Sequence, residues 1–328
     1  MKPPVVIGLT AVVAGMRDGE AAVLTVRPPG ESLSGQVLSG QVLSGLPFGP
    51  FDPEGHRTFE LAVRAFVARQ TGFELGYVEQ LYTFGDKGRD APLADVGAGT
   101  ARVVSVGYLA LTAKAAETSG DTAWRPWTRY FPWEDWRKGR PAVIEAVIGP
   151  ELMAWAGLVK GAAGEARRLR ARRLFALDDQ PWNDERVLDR YELLYEAGLV
   201  PEAARDRGVA PPKVAEALGR PMISDHRRIL ATGLGRLRGK LRYRPVAFEL
   251  LPAEFTLSEL QRTVEAISGV PLHKQNFRRG VERTGLVEPL GRFDLGTGGR
   301  PAELFRFRRE QAAAGPASGL SLPALARA

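Results

Sequence analysis

Between Glu254 and Arg308 the sequence reads "EFTLSELQRTVEAISGVPLHKQNFRRGVERTGLVEPLGRFDLGTGGRPAELFRFR", and its order of elements leaves few folds open. Thr256 or Ser258 can cap a helix reaching Ile267, because a hydroxyl there accepts from the unpaired N–H groups of the first turn. Gly269 ends that helix in the left-handed conformation that glycine tolerates best. "VPLHK" is a short turn, and a second helix over about Lys274–Thr284 is basic on one face. The runs "LVEPLGRF" and "PAELFRFR" then read as strands joined by the Gly-rich "DLGTGGRP". Helix, turn, basic helix, then a hairpin with a Gly/Arg tip predict a winged helix-turn-helix. On the second helix Lys274, Gln275, Asn276, Arg278, Arg279 and Arg283 carry the groups that read or hold DNA. Asn and Gln suit adenine, Arg suits guanine, and either cation holds phosphate. In the wing, Thr297 and Arg300 follow glycines that let the backbone approach a phosphate or the minor groove. A basic helix alone is more simply a solvated surface; with the Gly-Arg wing behind it, double-stranded DNA is the better reading.

The charge agrees. From His226 to Arg309 there are 17 Lys+Arg against 8 Asp+Glu, whereas the rest of the chain has 28 against 30. The excess positive charge of a +7 chain therefore sits in its last third, as for a domain with a polyanionic partner. The absence of cysteine excludes a disulfide framework, Cys-containing zinc fingers and thiol catalysis, and three scattered histidines (His56, His226, His273) make no metal motif. No apolar run approaches a membrane span, and "MKPPVVIGLTAVV" lacks a signal-peptide cleavage site, so a cytoplasmic protein with no membrane partner is expected.

The N-terminal part alternates strands and helix. "VVIGLTAVVAG" and "AAVLTVRP" around "MRDGE" predict a hairpin, and the near-repeat "LSGQVLSGQVLSG" reads as loop. A helix from about Thr58 to Thr71 is closed by Gly72, followed by strands "YVEQLYTFG" and "ARVVSVGYLALT" on either side of a polar loop. This is an α/β arrangement with the helix on a mixed sheet. "WRPWTRYFPWEDWRKGR" holds four of the six tryptophans and reads as core between layers; a ligand platform is the less common alternative. Residues 149–200 are largely helical, "RDRGVAPPKVAEALGRPM" has the composition of a linker, and a further helix opens at Asp225. Ile229, Leu230, Leu234, Leu237 and Leu241 recur on that helix at helical spacing, a stripe that fits either a dimer contact or internal packing. The expected domains are 1–222 (sensing domain with helical extension) and 223–311 (winged helix), with a disordered tail over 312–328.

The segment "ELAVRAFVARQTGF" (Glu60–Phe73) has the frame of a Nudix box: an amphipathic helix ending in Thr-Gly-apolar, with Gly49 matching the opening glycine. With Gly72 and Phe73 at the end of the box, the three helical glutamates that would hold magnesium fall on Phe66, Arg69 and Gln70, and the box arginine on Ala65. A guanidinium at a magnesium-ligand position repels the cation as well as removing an oxygen donor. The blander alternative is that "ARQTGF" is merely a helix C-cap, since Thr-Gly after an amphipathic helix is common. However, that box, "YVEQLYTFGDKGRD", "VVSVGYLAL", "RLRGKLRYRPVAFELLP", "FTLSELQ", "NFRR" and "GRPAELFRF" together resemble the Nudix-related regulators of NAD metabolism (NrtR- and NadQ-type repressors).

The resemblance implies a Nudix-like α/β/α sandwich with a helical extension, followed by a C-terminal winged helix-turn-helix. It also implies a non-enzymatic repressor of NAD biosynthesis or salvage genes, and an adenine nucleotide effector (NAD, ADP-ribose or ATP) bound without metal and left uncut. Arg27, Tyr82, Phe84, Asp86 and Arg89 are the expected effector contacts, since arginine pairs with phosphate and aromatics stack on adenine. Tyr82 and Phe84 are as readily ordinary strand core. One recognition helix reads a short half-site, so a homodimer on a palindromic operator is expected. An alternative is an active Nudix pyrophosphatase whose metal site uses Glu54, Glu60 or Asp86; a third reading is a nucleic-acid-binding module with no ligand.

Overall fold

Strand β1 (Val5–Arg17) organises the N-terminal half of the chain. In the computed structural model, which describes residues 5–27, 37–38, 41–85, 102–113, 115, 121–294 and 301–314, both faces of β1 are covered. Leu9, Ala11 and Val13 point into one core, Val12 and Ala14 into another. A strand buried on both sides needs apolar residues on both faces, hence the run "VVIGLTAVVAG", in which Thr10 is the one polar side chain. The chain reverses at Asp18-Gly19, both at positive φ (52° and 77°), as a tight two-residue turn requires, into β2 (Glu20–Val26).

The stretch expected as loop contains a short antiparallel strand pair, β3 (Val37–Leu38) with β4 (Gln41–Val42); two-residue strands lie below what alternation can reveal. β5 (Phe48–Pro50) pairs with β1 and leads to α1 (Phe59–Thr71), then to β6 (Tyr77–Phe84), β7 (Arg102–Thr112) and β8 (Thr122–Pro126). The sheet order is β6-β7-β1-β2-β8, with β1 and β7 parallel and the other pairs antiparallel. Thr58 caps α1, accepting from the Leu61 N–H at 3.2 Å, and Gly72 ends it at φ 72°. Ala62, Val63, Phe66 and Val67 of α1 cover one face of the sheet.

After β8 the chain builds α2 (Gly149–Gly157), α3 (Ala162–Phe175), α4 (Val187–Glu196) and α5 (Pro201–Asp206). The tryptophan-rich segment is core: Trp127 and Trp133 are 3% and 0% exposed, and Trp133 meets Phe131 and Phe175 edge-on. Residues 205–222 are not the linker that their Pro and Gly suggested. Leu218 and Met222 are fully buried, the Arg227 guanidinium donates to the carbonyls of Tyr130 and Leu218, and the Met222 N–H donates to Glu202 at 3.2 Å.

Helix α6 (His226–Tyr243) closes the sandwich on the face of the sheet opposite α1. Its stripe of Ile229, Leu230, Leu234, Leu237 and Leu241, each at most 1% exposed, is filled from within the chain, so of the two readings internal packing is the observed one. The same core continues into the C-terminal unit: β9 (Glu254–Thr256), α7 (Leu257–Ser268), α8 (Lys274–Thr284), β10 (Val287–Asp294) and β11 (Ala302–Phe307). A last helix, α9 (Arg309–Ala314), runs past Ala312, where disorder was expected to begin. Thr256 and Glu259 form a reciprocal capping box at the start of α7, the Glu259 N–H to Thr256 Oγ1 distance being 3.1 Å. Thr256→Ala is expected to cost about 0.5–2 kcal/mol, read as a lower denaturation midpoint with an unchanged slope.

Candidate DNA-binding surface and sensing side

Phe277 and Val281, one turn apart on α8, are 3% and 1% exposed and anchor the helix on α7. That anchoring turns Lys274, Gln275, Asn276, Arg279 and Arg283 to solvent, with Arg278 half-buried. Arg279 Nη2 donates to Asn276 Oδ1 at 2.6 Å, which orders two groups suited to base edges on adjacent turns. None of Lys274, Arg278, Arg279 and Arg283 has a carboxylate within ion-pair distance among the described residues. The other described arginines near the wing do: Arg292 meets Glu254, Arg306 and Arg308 share Glu288, and Arg309 meets Glu249. Hydrogen bonds from Arg306, and then Arg308, hold the Glu288 carboxyl below its ordinary range. Among the described residues the unpaired positive charge of this unit is thus concentrated on α8, with Arg262 of α7 a further exposed cation.

The three-stranded sheet β10-β11-β9 forms the wing, with an irregularity between Pro289 and Phe293. Strand β9 was missed in the sequence because it is three residues long and its last residue is already the cap of α7. Thr297 and Arg300, expected at the wing tip, lie outside the described residues, as do Asp86 and Arg89.

Besides its apolar face, α7 is tied to the rest of the chain by a buried charge network that the sequence reading did not single out. Glu134 accepts from Arg190 at 2.6 and 2.8 Å and from Arg238, and all three side chains are essentially inaccessible. Arg238, on α6, also donates to the Ile267 carbonyl in the last turn of α7 at 2.8 Å and to the Asp184 carbonyl at 2.9 Å. Gly269 (φ 74°) passes so close to Glu134 that a Cβ would sit 2.2 Å from its carbonyl oxygen. The signal was present: Arg227 and Arg238 fall on the apolar stripe of α6, where a charge must find buried partners.

On the sensing side, the Nudix-box positions have structural employment. Phe66 is core against Gly49; Gln70 donates to the Phe48 carbonyl at 2.7 Å and accepts from its N–H at 3.3 Å; Arg69 is exposed. Among the described residues there is no group of three or more His, Cys, Asp or Glu placed to hold a metal ion. Glu60 pairs with Arg64 at 2.9 Å, and Glu54 lies in the exposed turn before α1.

Of the expected effector contacts the structure describes Arg27, Tyr82 and Phe84, and Arg27 lies apart from the other two. Phe84 is 5% exposed and belongs to the core, whereas Tyr82 is 62% exposed with its ring 5.2 Å from that of Phe84. Arg27 follows β2, three strands from β6 and therefore about 14 Å across the sheet at ordinary strand spacing. There it lines a cavity that also involves β8.

Comparison with known proteins agrees with this architecture. Residues 247–307 match the family model of the NrtR DNA-binding winged helix domain. An ADPR-responsive transcriptional repressor, NtrR, of Acinetobacter baylyi is 39% identical over 92 residues; the match spans 28% of this chain and 36% of that protein's length. Shewanella oneidensis NrtR superposes with a TM-score of 0.54 without DNA, at 21% identity, over 94% of this chain and 96% of that one. In complex with a 27mer DNA it gives 0.52, at the same identity, over 94% and 95%. A MutT/nudix family protein from Enterococcus faecalis gives 0.51 at 14% identity, over 94% and 88%. The C-terminal unit is thus a winged helix of the NrtR DNA-binding type, carried on a chain with the fold of NrtR: a Nudix-like sandwich with a helical extension, followed by that winged helix.

Proposed function

We propose that this protein is a cytoplasmic transcriptional repressor that binds a palindromic operator as a homodimer and senses an adenine nucleotide through a Nudix-like domain that does not hydrolyse it. The observation that carries the reading is the concentration of four unpaired cations on α8 while the described arginines near the wing are neutralised. A surface selected only for solubility has no need of that asymmetry; a phosphate backbone rewards it. The Acinetobacter relative is named for a response to ADP-ribose, which makes ADP-ribose the first effector to test, ahead of NAD and ATP. Target genes in NAD biosynthesis or salvage follow from the same resemblance. We place the boundary between sensing and DNA-binding parts after α6, because that helix is a layer of the sandwich and the winged-helix match begins at residue 247.

The test is binding of the full chain to duplexes selected from a random pool, followed by anisotropy with and without each nucleotide. Two-fold symmetric selected sites, and a nucleotide-dependent change in affinity of at least fivefold, are expected. Unselective binding that no nucleotide alters would leave only a nucleic-acid-binding module. Light scattering should give a dimer mass at micromolar concentration. With ADP-ribose or NAD and magnesium no turnover is expected, because Phe66, Arg69 and Gln70 offer no carboxylate oxygen; hydrolysis at about 1 per second or faster would make the protein a hydrolase instead.

A further inference from the structure

We propose that the cavity between the ends of β2 and β8 holds the phosphorylated ribose of the effector; this rests on the nucleotide-sensing reading above. The cavity has a volume of about 250 Å³ and is lined by Arg27, Arg125 and Arg129, with Asp121, Ser44 and Thr25 among its other walls. Three guanidiniums against one carboxylate leave a balance of +2, the complement of a ribose diphosphate or a ribose monophosphate dianion. Arg125 and Arg129 are exposed and have no carboxylate partner among the described residues, and Arg27 reaches Asp121 only at 3.9 Å. Their forks are therefore available for bidentate contact with phosphate oxygens. Asp121 supplies the acceptor that ribose hydroxyls need, as an acidic residue does in dinucleotide sites.

Size limits what enters. Pockets that enclose a whole drug-sized ligand span roughly 300–1,000 Å³. A 250 Å³ cavity takes the phosphorylated sugar and leaves the base outside.

The cavity wall also leads to the DNA-binding unit. Ser44 accepts from the Ile223 N–H at 3.1 Å, and the Leu46 N–H donates to His226 Nδ1 at 3.0 Å, so the wall is bonded to the start of α6. At its other end α6 holds α7 through Arg238 and the Ile267 carbonyl. A ligand that draws Arg125 and Arg129 inward acts beside a wall bonded to the start of α6, a helix that touches both the sheet and α7.

The experiment is calorimetry on the full chain with two probes, ADP-ribose and ribose 5-phosphate, for wild type and the double variant Arg125→Ala, Arg129→Ala. Wild type is expected to bind both, ADP-ribose more tightly. The double variant should lose at least tenfold in affinity for each, with thermal melting and nucleotide-free DNA affinity unchanged. Both side chains are exposed, so folding is not at stake; Asp121→Asn, expected to weaken ribose 5-phosphate severalfold while leaving inorganic phosphate unaffected, gives an independent reading of the same cavity. If wild type and double variant bind ADP-ribose equally, the assignment of the cavity falls while nucleotide sensing stands. If ribose 5-phosphate binds in an Arg125- and Arg129-dependent way and ADP-ribose does not bind, the cavity stands and nucleotide sensing falls. Binding of neither probe by wild type overturns the inference.

Discussion

Glu134→Ala is expected to lower the stability of the folded chain by about 3–5 kcal/mol, because it strands Arg190 and Arg238 as buried, uncompensated charges. Both guanidiniums are 0% exposed and Glu134 is their shared counter-charge, so neither can recover solvation without opening the core. The change should appear as a lower denaturant midpoint, and since Arg238 also holds the end of α7, operator affinity should fall with it. Acid should expose the same interaction. Burial is the largest influence on Glu134 and opposes its ionisation, yet the two guanidiniums together outweigh it and hold the carboxyl below its ordinary value of 4.5. A depressed carboxyl contributes its full stability above the unfolded value and loses it as pH falls through the folded one. Wild-type stability should therefore decline below about pH 4.5, and Glu134→Gln, which keeps volume but not charge, should flatten that part of the profile. A Glu134→Ala protein as stable as wild type at neutral pH would show that the network does not hold α7.

The double variant Arg279→Ala, Arg283→Ala should weaken operator binding by about 2–6 kcal/mol, taking 1–3 kcal/mol for each arginine that reads a base and assuming they act independently. If either meets a phosphate instead, its loss appears as a fall of about 0.9 in the slope of log affinity against log salt. The two cases are separated by measuring anisotropy at several salt concentrations on operator and on scrambled duplex. Arg306→Ala is the internal comparison: its charge is already matched by Glu288, so a near-wild-type affinity is expected. Equal losses from Arg306→Ala and from the α8 variant would mean that net charge, and not this helix face, governs binding.

Much of the fold was legible because its signals are local. The ends of α1, α7 and α8 follow from Thr58, Gly72, Thr256, Gly269 and Gly285, whose side chains or backbone freedom act within one turn of their own position. The two-faced burial of β1 follows from its composition, and the solvent-facing side of α8 from Phe277 and Val281 at helical spacing. Where the expected effector contacts would lie was less legible because sheet order is a long-range property. Arg27 and Tyr82 both lie near strand ends, but strands adjacent in sequence need not be neighbours in a sheet, and β7 and β1 stand between β6 and β2. Arg125 and Arg129 carried no motif; only the pairing of β8 with β2 sets them beside Arg27.

By itself, then, the sequence determined where the helices begin and end, that a basic helix precedes a wing, and that the metal-binding positions of the Nudix frame are filled by Phe66, Arg69 and Gln70. Each is decided by residues within a few positions of one another. Only the tertiary structure decided that Ala215, Leu218 and Met222 anchor the segment 205–222 in the core, that the stripe of α6 is buried within the chain, and that Glu134, Arg190 and Arg238 meet. A proline-rich segment or a charge on an apolar stripe has no fixed meaning until distant residues supply, or fail to supply, its partners, and those partners lie 56 and 104 positions from Glu134.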